Sequence, residues 1–312
     1  MRRDYRIGLS FMGPVTLAAS GLAILSAKLY DYAFRRIDYV PDASADKQQY
    51  AEKYFEYVKW YQEVPSSTWS LNQGDPENYI VAKYIPADRP SKKSVIIAHG
   101  YKGNGETMAN FAKMFHDWGY HVLVPDDRGH GASSGKYINF GWIDRLDYVQ
   151  WSQLMVSKLG KDINIALFGV SMGGATVQMA SGEHLPPQVK VLVSDCGYSS
   201  LEEELVFLLK QQFHLPKQPI TGIVSRLNQK RLGFPISVVS STEQLKKNKL
   251  PILFIHGQLD RFVPSWMTEK SYSVVTAPKA KWIVKNATHA ESYWINPLRY
   301  HYHVKHFIEK FI

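Results

Sequence analysis

Short apolar runs alternate with amphipathic stretches along most of this chain. Ser94–Ala98, His121–Pro125, Ile163–Phe168, Val189–Ser194, Ile252–His256 and Trp282–Val284 are continuous or nearly continuous apolar runs. That is the pattern of strands buried on both faces. Between them, Met108–Trp118, Trp142–Leu159, Trp266–Val275 and Pro297–Phe311 read as helices, and the small-residue run Gly174–Ser181 as a helix packed tightly on a sheet. Thr68–Leu71 and Tyr79–Ile85 flank the turn cluster Gly74-Asp75-Pro76, which predicts an antiparallel hairpin. Strand–helix alternation of this kind predicts an α/β fold, a mostly parallel sheet with helices on both faces.

Two stretches break the rhythm. Residues 198–249 lie between two predicted strands and hold too much chain for a simple crossover. Ser200-Leu201-Glu202-Glu203 is a capping box, and Leu201, Leu205, Leu208, Leu209 and Phe213 follow as an apolar stripe. An insertion above strand ends is where a substrate cap sits. Leu205, Leu208 and Leu209 are therefore expected substrate contacts; plain packing on the sheet is the alternative.

The other stretch is the N-terminus. Arg2, Arg3 and Arg6 precede Ile7–Ala27, which carries no charged residue and is long enough to cross a bilayer as a helix. Leu22-Ala23-Ile24-Leu25 continues the run past a possible cleavage site at Ala18-Ala19-Ser20, which favours a retained anchor over a signal peptide. Basic residues balance across the run, so charge alone does not orient it. The short basic tail resembles an export signal and places the body outside the cytoplasm. Tyr50, Tyr54, Tyr57, Val58 and Tyr61 then share one face of a predicted helix over residues 46–61. The chain divides at 1–30 (anchor or signal), 31–64 (juxtamembrane helical segment) and 65–312 (catalytic body).

Composition adds exclusions. The 312 residues carry a formal charge of +9, but the basic residues are scattered. The densest cluster, Lys246-Lys247-Asn248-Lys249, reads as a solvated loop, and no nucleic-acid partner is expected. Cys196 is the only cysteine, which excludes an intramolecular disulfide and a cysteine-based zinc site.

The chemistry centres on Gly169-Val170-Ser171-Met172-Gly173, a G-x-S-x-G between a predicted strand and a predicted helix. Such a turn lifts a serine hydroxyl clear of the sheet and points free helix N–H groups toward it. A serine hydroxyl needs a base, and the base needs a partner that fixes its tautomer. Asp260 follows the strand Ile252–His256, and His289 follows Trp282–Val284. Loops at the carboxyl ends of neighbouring parallel strands converge, so the three residues can meet. Asp195, at another strand end, is the rival acid. His99, His130 and His256 each stand beside a glycine and read as turn-shaping residues. Oxyanion donors are expected at the Met172 N–H and the Tyr101 N–H, with Lys102 as the alternative to Tyr101.

His99-Gly100, Asp126-Asp127-Arg128-Gly129-His130-Gly131, the G-x-S-x-G, His256-Gly257-Gln258-Leu259-Asp260 and His289 occur in this order over about residues 65–312. Together they resemble an α/β-hydrolase, and in detail the membrane-anchored bacterial hydrolases of the Bem46 and serine aminopeptidase S33-like group. The resemblance implies an eight-stranded sheet, a Ser171–His289–Asp260 triad, and no cofactor or metal. It does not fix the substrate. Ester hydrolysis leads; a peptidase or amidase using Glu202-Glu203-Glu204 to hold a charged peptide end is the second hydrolase reading, and a membrane-tethered binding protein with an idle triad is the third.

Overall fold

The computed structural model describes residues 12–37, 49–72 and 74–312, with side chains from Ser20 onward. Among the described residues eight strands form one sheet: β1 (Ser67–Leu71), β2 (Ile80–Ile85), β3 (Lys93–Ala98), β4 (His121–Pro125), β5 (Asn164–Val170), β6 (Val189–Asp195), β7 (Ile252–Gly257) and β8 (Lys279–Val284). Their spatial order is β1-β2-β4-β3-β5-β6-β7-β8. β1 and β2 form the expected antiparallel hairpin, and β2 meets β4 antiparallel. Every other pairing is parallel.

The sheet is buried on both faces, which is why its central strands lack alternation. Along β3, Val95 and Ile97 enter one apolar cluster, and Ile96 and Ala98 enter the other. Helices α2 (Ala51–Glu63), α3 (Ala109–Asp117) and α9 (Pro297–Ile308) cover the first face; α4 (Asp144–Leu159) and α5 (Met172–Ala180) cover the second. Burying side chains such as Phe168 and Phe254, both fully inaccessible, contributes on the order of 2–3 kcal/mol each. The aromatic face of α2 packs on the body: Val58 and Tyr61 are buried, and the Tyr293 hydroxyl donates to that of Tyr57 at 3.0 Å.

Between β6 and β7 stand α6 (Leu201–Phe213), α7 (Ile220–Leu232) and the short α8 (Ser241–Leu245). The expected capping box opens α6, with Ser200 Oγ accepting from the Glu203 N–H at 3.3 Å. Its reciprocal half differs. The Glu203 carboxylate accepts from Ser199 Oγ at 2.6 Å and pairs with Lys270 instead.

The N-terminal stretch departs further from expectation. It forms helix α1 (Met12–Phe34), whose described part lies against the cap. Ser26, Tyr30 and Phe34 are essentially inaccessible, and the Tyr30 hydroxyl donates to Asn228 Oδ1 of α7 at 3.1 Å. Among the described residues no helix is long and apolar enough to cross a membrane. The membrane anchor expected over residues 1–30 thus finds no support there. Ser26 at the end of the apolar run, and Tyr30 and Phe34 beyond it, are packed on the body, whereas Ile24 is exposed; Met1–Phe11 lie outside the described residues.

Candidate active site

The end of β5 and the start of α5 hold Ser171 in a conformation that few residues adopt, with φ +57° and ψ −118°. A non-glycine residue there is strained by roughly 1–3 kcal/mol. Neighbouring bonds impose it: the Ser171 N–H donates to the Asp195 carbonyl at 2.8 Å, and its own carbonyl accepts from the Ala175 N–H at 3.0 Å. The turn also demands close approach. A Cβ on Gly169 would meet the Gly173 carbonyl oxygen at 2.2 Å, and one on Gly173 would meet that of Ala98 at 2.2 Å. The two glycines let the elbow nest against the end of β3.

Ser171 Oγ lies 2.8 Å from His289 Nε2, and His289 Nδ1 lies 2.8 Å from Asp260 Oδ2. All three come from loops or turns at the carboxyl ends of parallel strands. A carboxylate only accepts, so Nδ1 carries the proton and Nε2 is left to take one from the serine. Asp260 is fixed in turn: the N–H groups of Phe262 and Val263 both donate to its Oδ1 at 2.9 Å. Burial alone would raise its pKa, but contacts with His256 and His289 outweigh that and hold the carboxyl well below the usual carboxylate range. On the other side, the Thr288 N–H and hydroxyl both donate to Glu291 at 2.8 Å, which steadies the His289 loop.

The rival acid is not part of this relay. Asp195 is buried and accepts from Tyr300 at 2.9 Å and Ser292 at 3.3 Å. Sequence reasoning understated His256. Its Nε2 donates to the Val263 carbonyl at 2.8 Å and lies 3.2 Å from Asp260 Oδ2, while Nδ1 accepts from Thr268 at 2.7 Å. It supports the loop that carries the acid. Its position four residues before Asp260 was the available signal.

His99 and His130 shape the loop after β3. His99 Nε2 accepts from the Asp127 N–H at 3.0 Å, and His130 Nε2 accepts from the Lys102 N–H at 3.2 Å. Burial pushes both imidazoles down and keeps them neutral. The second bond bears on the oxyanion donors, because it occupies the Lys102 N–H. The Tyr101 N–H has no protein acceptor among the described residues. Met172 is the first residue of α5, so its N–H is one of those a helix start leaves free.

Leu205, Leu208 and Leu209 line a cavity of about 140 Å³ whose wall also includes Ser171 and Met172. Glu204 lines it too, yet is buried, with neither carboxylate oxygen hydrogen-bonded among the described residues. Burial pushes the Glu204 carboxyl well up. One group of metal-type donors occurs among the described residues: Cys196, Asp260 and His289, with donor atoms within 4.8 Å. Asp260 and His289 are bonded to each other, and burial pushes the Cys196 thiol well up, so it offers no thiolate.

The family model described as "Serine aminopeptidase, S33" matches residues 89–217. Over 231 residues the chain is 30% identical to protein YqkD of Bacillus subtilis (strain 168), covering 74% of this chain and 76% of that one. The chain belongs to the α/β-hydrolase superfamily. The expected eight-stranded architecture is therefore that of this α/β-hydrolase. Lipase 3 of Moraxella sp. (strain TA144) is 24% identical over 269 residues, 75% of this chain and 82% of that one. Among solved structures, the Pyrococcus furiosus esterase Pf2001 superposes with a TM-score of 0.65 at 19% identity, over 88% of this chain and 95% of that one. At that identity the likeness concerns the fold.

Proposed function

We propose that this α/β-hydrolase is a serine esterase working through an acyl-enzyme. The observation that carries the reading is the chain of two 2.8 Å contacts, Ser171 to His289 to Asp260, with Ser171 in the wall of an apolar cavity. His289 Nε2 takes the proton from Ser171 Oγ as the oxygen attacks the acyl carbon. The N–H groups of Met172 and Tyr101 receive the oxyanion. His289 then protonates the leaving alcohol, and water repeats the sequence to release the acid. Asp260, held ionised, steadies the imidazolium in both halves.

The acidic run of α6 supports an ester over a peptide with a charged end. Glu202 pairs with Lys217 at 2.9 Å, and Glu203 is engaged by Ser199 and Lys270. Glu204 remains, and its burial favours the neutral acid. None of the three offers a ready negative charge for an ammonium group. Membrane attachment, with the body outside the cytoplasm, belongs to the same proposal and rests on the uncharged run Ile7–Ala27 and the arginines before it. A panel of p-nitrophenyl esters and aminoacyl p-nitroanilides tests the reaction class: ester turnover should exceed anilide turnover by at least a hundredfold.

A further inference from the structure

The cavity beside Ser171 has two jaws. One is α6, with Leu205, Leu208 and Leu209; the other is α1, with Leu29, Ala33 and Phe34. Helix α1 precedes the whole catalytic sheet in sequence, yet it is fastened to the site at both jaw and floor. Asp31 pairs with Arg231 of α7, whose guanidinium also lies 4.7 Å from the centre of the Tyr30 ring. The Phe34 carbonyl accepts from the Ile138 N–H at 2.6 Å, and the Phe34 ring meets Phe140 at 4.8 Å. Two further bonds join α1 to the loop after β3. The Tyr101 hydroxyl donates to the Ala33 carbonyl at 2.7 Å, and Lys102 Nζ donates to the Tyr32 carbonyl at 2.9 Å. These carbonyls belong to the last turn of α1, where a helix leaves acceptors unsatisfied. The loop that presents the Tyr101 N–H therefore caps the C-terminus of α1.

We infer that α1 is the second wall of the acyl site, and that the gap between α1 and α6 selects esters of short to medium apolar acids, about six carbons long. The length follows from the volume. A cavity of about 140 Å³ is close to the roughly 150 Å³ apolar void that accepts benzene, a six-carbon ligand. The inference rests on the esterase reading. A chain lying between the jaws gains affinity with each methylene until the space is filled, up to about fourfold per methylene. Beyond that length the gain stops.

The test uses the full chain and p-nitrophenyl acetate, butyrate, hexanoate, octanoate and decanoate, with a fluorophosphonate probe in parallel. Wild type should peak near hexanoate. Ala33→Leu adds volume from α1 and should lower the hexanoate-to-acetate ratio of kcat/KM at least fivefold. Leu29→Ala removes volume and should move the peak to octanoate or longer. If Ala33→Leu does not fold, judged by its melting curve, Leu29→Ala decides alone. A peak and ratios unchanged within twofold in folded variants, while the wild type hydrolyses esters and takes the probe, overturn this inference and leave the esterase reading standing. A wild type that neither hydrolyses any ester nor takes the probe overturns both.

Discussion

Ser171, His289 and Asp260 act as a unit, so their substitutions are not additive. Ser171→Ala and His289→Ala should each lower ester kcat by about four orders of magnitude or more. Asp260→Asn should lose somewhat less, and Asp195→Asn, outside the relay, less again. Steady-state rates of the four variants check this; a crippled Asp195→Asn beside a mild Asp260→Asn would reverse the assignment of the acid. Glu204 supplies a second prediction, on stability. Its folded pKa is raised, so its contribution is fully present below the unfolded value of about 4.3 and is lost as pH rises toward the folded value. Relative to Glu204→Gln, wild type should therefore lose melting temperature steadily from pH 4 to pH 7. A constant difference between the two melting temperatures over that range would mean that Glu204 ionises as an exposed glutamate does.

At the scale of elements, the last turn of α1 and the loop after β3 are coupled through Tyr101. Tyr101→Phe keeps the backbone N–H but removes the hydroxyl bond to Ala33. A neutral hydrogen bond of this kind is worth about 0.5–1.5 kcal/mol, so kcat for acetate should fall about 2- to 13-fold with KM little changed. A fall in KM-linked binding with kcat intact would mean that the hydroxyl orders the cavity and not the oxyanion donor. The strands and the elbow were legible in sequence because a buried parallel strand is an uninterrupted apolar run, and because Gly169 and Gly173 mark close backbone approach. The partnership of α1 with α6 was not legible. An uncharged run is apolar all round, and the same pattern serves a bilayer or a cap. The tertiary contacts of Tyr30 and Phe34, which follow that run, show only that the C-terminal end of α1 packs on the body. The support of Asp260 by His256 showed in sequence only as a spacing of four residues, because the contact depends on the path of the turn after β7, which periodicity does not describe.

For the whole molecule, location is the open proposal. If Ile7–Ala27 inserts, the full-length protein should stay in the membrane fraction through a carbonate wash, and protease added to intact cells should digest the body. A soluble product beginning near Gly21 would show a cleaved signal, and protection from the protease would reverse the orientation. Either outcome would leave the catalytic proposal intact, since the relay lies wholly within residues 171–289. That relay is the central claim, and mass-spectrometric mapping of a fluorophosphonate adduct tests it most directly. The expected result is one modified residue, Ser171, with labelling abolished in Ser171→Ala and slowed at least a hundredfold in His289→Ala. Labelling at any other residue, or unmodified Ser171 in folded protein, would contradict it.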